Sequence, residues 1–222
     1  MTHHKTATQE AREPAPETKG RTIRWARLYD FATTFLSFGR VGALRRTTID
    51  LAQPAPGEKV LDVGCGPGTL ALAAKERVGP SGEVHGIDAA PEMIDLARRK
   101  AEKAGAAIDF QVGLIERIPF PDNYFDLATS TLMFHHLPGD LKRSGLAEIL
   151  RVLKPGGRFL LADFASHAES GLGHLLAVFG LSKDRSGVDP MRMLLQEADF
   201  TNVEVLETKH KQLAFMRALK GT

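Results

Sequence analysis

From residue 60 to residue 163, short apolar runs alternate with stretches of helical period, and this alternation constrains the fold more than any other feature of the chain. Residues 60–63, 83–87, 108–112 and 158–163 read as strands, and 125–133 contains another; 69–77, 91–104 and 141–153 read as helices between them. In the second of these helices Met93, Ala97, Ala101 and Ala104 line one face, Pro91 suits the first turn and Gly105 suits the stop. Lys154-Pro155-Gly156-Gly157 ends the third. Strand–helix–strand repetition at this spacing predicts right-handed βαβ units on a parallel sheet, an α/β fold. Residues 201–207 and 213–218 read as two further strands only a few residues apart. Parallel neighbours need a crossover of about a dozen residues, so this last pair is expected to be antiparallel.

The flanks differ in kind. Residues 1–20 are polar, Pro-bearing and without apolar periodicity, and are expected to form a disordered tail. Residues 21–52 are expected to form a helical cap: a basic, aromatic stretch with Ile23, Trp25, Leu28, Tyr29, Phe31, Phe35 and Phe38, then a helix over 41–51. Gln53-Pro54-Ala55-Pro56-Gly57 breaks that helix, and residues 53–222 form the main domain. No apolar run approaches the ~20 residues of a membrane span and no secretory signal opens the chain, so the expected address is cytoplasmic. The single cysteine, Cys65, excludes an internal disulfide and any multi-thiolate metal site. A formal charge of +2, spread along the chain, gives no basic nucleic-acid-binding face.

The strongest local signal is Asp62-Val63-Gly64-Cys65-Gly66-Pro67-Gly68, a glycine turn leaving the first strand and opening a helix. Glycines there let backbone N–H groups approach a ligand, and a helix N-terminus favours an anionic group; they also make tight structural turns. Asp88 ends the second strand, twenty positions after Gly68. A carboxylate so placed can accept both hydroxyls of a ribose lying over the turn, or it can be a loop acid or helix cap. A dinucleotide is disfavoured, because the third glycine of that fingerprint would fall on Thr69 and Asp62 would face a pyrophosphate. A ligand with an α-amino group could use Asp62, which points to an amino-acid nucleoside.

These residues resemble the class I S-adenosylmethionine-dependent methyltransferases, in particular the small-molecule branch that includes the ubiquinone/menaquinone methyltransferases. Five segments carry the resemblance: Val60 to Gly68, Gly86 to Met93, Ile118 to Asp126, Phe134-His135-His136-Leu137, and Leu153 to Arg158. It implies a Rossmann-like, doubly wound, seven-stranded sheet of order 3-2-1-4-5-7-6 with the last strand antiparallel. It further implies S-adenosyl-L-methionine as cofactor, with S-adenosyl-L-homocysteine as product. Asp62 and the turn of Gly64, Cys65, Gly66 and Gly68 would hold the methionine part, and Asp88 with Ala89 the ribose. Met93 would lie over the adenine or pack in the core, Ser130 would face the sulfonium, and Tyr29 would belong to the cap over the cofactor. Leu114-Ile115 stand where the family commonly has an acid or amide for the adenine, which leaves only backbone contacts there. Met133-Phe134-His135-His136 replaces the Leu-Arg-Asn type of sequence associated with the quinone-specific group.

Methyl transfer is a displacement at a methyl carbon. An amine or thiolate acceptor needs alignment and exclusion of water, whereas a phenol or enolisable carbon benefits from a base. The candidate bases are His135 and His136 after the fourth strand and Asp163 at the end of the fifth; the histidines are also candidates for packing. Two adjacent histidines make a poor metal site, and no metal is expected. The Tyr29 region and residues 171–181 are candidate lids whose apolar character suits an apolar or aromatic small molecule, or equally a dimer face, so the state is monomer or homodimer. Arg21, Arg24, Arg27 and Arg40 could touch an anionic membrane carrying a lipid or quinone acceptor, without insertion. Ser130-Thr131-Leu132-Met133 is unlike the Asn-Pro-Pro-Tyr type of base-methylating enzymes, so nucleic acid is not an expected partner. A non-catalytic cofactor-binding protein is the alternative from outside the enzymes.

Overall fold

The computed structural model describes residues 40–165 and 185–222. The tail, Tyr29 with the rest of the aromatic stretch, and the 171–181 lid candidate lie outside the described residues. In chain order the elements are α1 (Arg40–Ala52), β1 (Lys59–Val63), α2 (Thr69–Val78), β2 (Glu83–Asp88), α3 (Pro91–Ala104) and β3 (Asp109–Val112). They continue with β4 (Phe125–Thr131), a 3-10 turn (Phe134–His136), α4 (Gly139–Val152), β5 (Leu153–Phe164), α5 (Val188–Glu197), β6 (Phe200–Leu206) and β7 (Leu213–Lys220).

One sheet of seven strands runs β3-β2-β1-β4-β5-β7-β6. β1 pairs in parallel with β2 and β4, β2 with β3, and β4 with β5; β7 is antiparallel to both β5 and β6. The order and the reversed seventh strand are those expected. Strand alternation feeds two cores. Leu61, Val63, Ala128, Phe159 and Leu161 pack with Ile149 and Val152 of α4 and Leu195 of α5 on one face. Val60, Val84, Leu127 and Leu160 pack with Ile49 of α1, Ala71 of α2 and Ile94 of α3 on the other. Each fully buried aliphatic or aromatic side chain contributes roughly 1.5–3 kcal/mol, so the layers close on both faces of the central strands.

Three departures from the sequence expectation have local causes. β5 begins at Leu153 rather than after the Pro-Gly-Gly turn, because Leu153 pairs with Phe125 and the register shifts between Phe125 and Leu127. α5 has no counterpart in the sequence reading: it starts without a side-chain cap and buries only Leu195, too weak a stripe to stand out. The 3-10 turn follows Leu132, whose φ of 55° is left-handed for a non-glycine residue. That inversion costs on the order of 1 kcal/mol and turns the chain back over the sheet end.

The carboxyl edge of the sheet gathers the chain's loops. α1 starts there, since Leu44 near its beginning packs with Ala162, Leu213 and Phe215, while Ala52 at its end shares a cluster with Val60 and Leu160. After β5, the Ala165 N–H donates to the Gln212 carbonyl at 3.0 Å, and the Gly187 N–H donates to the Ala165 carbonyl at 2.8 Å. The chain therefore leaves β5 and returns to α5 beside the same edge, where open α/β sheets bind ligands.

Candidate active site

The glycine turn is pinned to β2: the N–H groups of Gly64 and Cys65 both donate to the Ile87 carbonyl, at 2.8 and 2.9 Å. Gly64, Gly66 and Gly68 all have positive φ, at 69°, 50° and 73°. They are not equivalent. A Cβ on Gly64 would lie 2.5 Å from Met133 Cγ, and one on Gly68 would lie 2.6 Å from Phe110 Cζ and 2.8 Å from Ala97 Cβ. These two glycines make room for protein. Among the described residues a Cβ on Gly66 would meet nothing within 4 Å, so there this residue alone of the three borders open space.

Asp88 closes that space. Its Oδ2 accepts from the Gly66 N–H and its Oδ1 from the Ala90 N–H, both at 2.9 Å. Each oxygen keeps a further lone pair, enough for two ribose hydroxyls. Burial pushes its carboxyl above the usual range, against the pull of the two N–H donors. Ala89 lies partly buried beside it. Asp62, 3% exposed beneath the turn, accepts from the Thr129 hydroxyl at 2.8 Å. Burial raises it to about 7, with the nearby Asp88 charge adding to the rise and the Thr129 hydroxyl opposing it. A carboxylate in that state gains most from a cationic ligand group.

Other candidates fall differently. Cys65 is buried, its thiol pushed up by burial and its N–H spent on Ile87, so it supports the turn. Met93 is buried with Ala90 and Leu96 in a small cluster beside Asp88, which favours packing over an open face. Leu114 is half-buried and bridges to Arg117, whereas Ile115 turns inward and fills the room left by Gly145 on α4. Ile115 is thus a core side chain. Ser130 is corrected: it is fully buried and its hydroxyl donates to the Val63 carbonyl at 2.9 Å, tying β4 to β1 instead of facing a ligand.

Two candidates far apart in sequence come together. His135 Nδ1 lies 2.7 Å from Asp163 Oδ1, and the His135 N–H donates to Asp163 Oδ2 at 2.9 Å. The acidic partner that the histidine pair lacks locally comes from β5. His136 stacks obliquely on His135, ring centroids 3.8 Å apart. Sequence reasoning missed Thr129, which holds Asp62, and Thr131, whose buried hydroxyl has no partner among the described residues. The available signal was Thr129-Ser130-Thr131, three hydroxyls in a row at the carboxyl end of a buried strand. Among the described residues no group of three or more His, Cys, Asp or Glu could hold a metal, and no helix is long and apolar enough to cross a membrane.

Known proteins resemble this chain in sequence and fold. Residues 60–157 match the model of a methyltransferase domain. A S-adenosylmethionine-dependent methyltransferase from Aquifex aeolicus superposes with a TM-score of 0.65 at 25% identity, covering 79% of this chain and 89% of that one. Fold and site together define a class I S-adenosylmethionine-dependent methyltransferase. The demethylmenaquinone methyltransferase of Thermus thermophilus is 38% identical over 151 residues, 68% of this chain and 67% of the relative. A ubiquinone/menaquinone biosynthesis C-methyltransferase of Burkholderia mallei is 35% identical over 164 residues, 74% of this chain and 67% of its own. The chain belongs to this family of S-adenosylmethionine-dependent methyltransferases, related to the quinone C-methyltransferases. The residues fit the cofactor, since Gly66 leaves a cradle that a Cβ would fill and Asp88 offers two part-used carboxylate oxygens. When bound, the cofactor supplies an electrophilic methyl group on a sulfonium.

Proposed function

We propose that the protein transfers this methyl group to a small, apolar or aromatic acceptor, with Asp88 holding the ribose over Gly66 and Asp62 compensating the α-ammonium. The pairing of Gly66 and Asp88 carries the placement: open space, a close backbone approach and a carboxylate meet at one point of the carboxyl edge. Gly64, Cys65 and Gly68 shape the turn, and Leu114 borders the adenine end through its backbone. The protein's own contribution is alignment and exclusion of water, which can supply several kcal/mol of the barrier reduction. A cytoplasmic enzyme, monomeric or homodimeric, with a cap over residues 21–52 is the form we assign to it. A quinol reached at a membrane surface is the second reading for the acceptor, favoured by the names of the two curated relatives.

Calorimetric titration of the whole chain with S-adenosylmethionine, S-adenosylhomocysteine and NAD tests the cofactor placement. Roughly micromolar binding of both adenosyl ligands, none of NAD, and a loss of roughly 100-fold in Asp88→Ala are expected, since two charge-assisted hydrogen bonds go. Unchanged affinity in the variant would remove the ribose assignment.

A further inference from the structure

We propose that His135, oriented by Asp163, is the general base of the transfer, so that the acceptor is a weak acid, a phenol-type hydroxyl or an enolisable carbon. This rests on the methyl-transfer reading above and narrows its substrate class. An amine or a thiolate would need no such group.

The Asp163 carboxylate is used three times: Oδ2 accepts the His135 backbone N–H at 2.9 Å, while Oδ1 accepts the Phe164 N–H at 2.7 Å and stands 2.7 Å from His135 Nδ1. The His135 backbone bond alone would tie the turn to β5, since the Phe164 one lies within the strand. The ring contact adds something that tie does not need: it holds the proton on Nδ1 and leaves the lone pair on Nε2, the form in which an imidazole accepts a proton. Asp163 is 3% exposed, and among the described residues no lysine or arginine pairs with it, so the His135 imidazole is its side-chain partner there. Phe164 packs edge-on at 4.8 Å and His136 obliquely at 3.8 Å, which limits rotation of the ring. The ring is nonetheless 20% exposed. Asp163 on β5 and His136 on the same turn are the titratable groups around it among the described residues. Met133, two residues before His135, packs against Gly64 of the glycine turn, so the dyad and the cofactor cradle share one edge.

In the step, the acceptor's O–H or C–H proton passes to Nε2 of His135. The electron pair freed on that oxygen or carbon forms the bond to the methyl carbon as the carbon–sulfur bond breaks, its pair remaining on sulfur. His135 then returns the proton to solvent. Asp163 stabilises the transient imidazolium and acts as a positioning residue.

The first test needs no turnover. In protein labelled with 15N-histidine and saturated with S-adenosylhomocysteine, neutral His135 is expected as the Nδ1–H tautomer. Asp163→Asn, whose amide can donate to Nδ1, is expected to shift it to Nε2–H, while Asp163→Glu restores the wild-type signature in part. A wild-type Nε2–H tautomer overturns the proposal. The second test offers catechol, 2-naphthol and 1,4-dihydroxynaphthalene beside benzylamine and a thiol, with S-adenosylmethionine as donor. Methylation of a hydroxyl probe, at its oxygen or ring carbon, is expected, with kcat falling roughly 100-fold or more in His135→Ala. S-adenosylmethionine affinity should be retained in that variant. Methylation of amine or thiol only, of no probe, or equal rates in His135→Ala would overturn the base while leaving the cofactor reading intact. Absence of cofactor binding by the wild type would instead strike the methyl-transfer reading itself.

Discussion

The two ends of one sheet treat their acids in opposite ways. At the amino edge three acids each meet a base: Arg158 pairs with Glu58 at 2.6 Å, Lys154 with Asp126 at 2.6 Å and Lys59 with Glu83 at 3.0 Å. The Tyr124 hydroxyl and the Lys59 ammonium hold Glu83 below the usual carboxylate range, and Lys154 together with the Lys59 N–H holds Asp126 there despite its partial burial. At the carboxyl edge Asp62, Asp88 and Asp163 are held by N–H groups, a hydroxyl and an imidazole, with no lysine or arginine among the described residues. Burial pushes Asp62 and Asp88 up. An edge that serves only stability neutralises its charges internally. An edge that binds a cationic nucleoside leaves carboxylates short of partners until the ligand arrives.

The sharpest way to break this contrast lies in the glycine turn, where neighbouring glycines face packed side chains and, among the described residues, open space. Gly68→Ala places a methyl group against Phe110 and Ala97 at a φ of 73°, and should destabilise the fold by about 2–4 kcal/mol in denaturant unfolding. Gly66→Ala meets no atom of the described residues, so it should cost only about 1 kcal/mol of stability but roughly 10-fold or more in S-adenosylmethionine affinity. Equal stability losses in the two variants would erase the distinction.

Asp62→Asn tests the charge argument through pH. The folded group sits at about 7 against an ordinary 3.8, so the fold retains a proton there that the unfolded chain has released. Its stabilising contribution is complete below about pH 3.8 and is lost as pH rises through about 7. The variant should therefore gain on the wild type between pH 5 and pH 8, by on the order of 1–2 kcal/mol after allowing for its amide in a pocket shaped for a carboxylate. Cofactor affinity should strengthen over the same range in the wild type and stay flat in the variant. A parallel stability profile for the two proteins would place the titration elsewhere.

The smallest effect is expected at Thr131, whose hydroxyl is buried without a partner among the described residues. Thr131→Val should stabilise the free protein by about 1 kcal/mol, because the desolvated hydroxyl is removed at nearly constant shape. A destabilised variant would mean that the hydroxyl is satisfied after all.

How legible each part was follows from how locally it is encoded. The glycine turn and Asp88 are contiguous motifs whose meaning depends on φ angles and on a strand end a fixed number of residues away, so both could be located before any coordinates. The sheet order followed from the resemblance, and the short connection to residues 213–218 required the last two strands to be antiparallel to each other. The separate duties of Gly64, Gly66 and Gly68 were not legible, because they depend on Met133, Phe110 and Ala97 arriving from other elements. Ser130 was misread for the same reason: its hydroxyl answers to a carbonyl on the neighbouring strand.

The amino-acid sequence by itself determined the α/β fold, the edge of the candidate site and the family, since periodicity, glycine conformation and strand-end acids act over short stretches of chain. Only the tertiary structure decided that His135 has a carboxylate partner. Asp163 stands 28 residues away on the next strand, and the left-handed turn at Leu132 together with the parallel pairing of β4 and β5 brings the two within 2.7 Å. Contacts made across a sheet depend on register and on strained turns, which no local pattern of residues records.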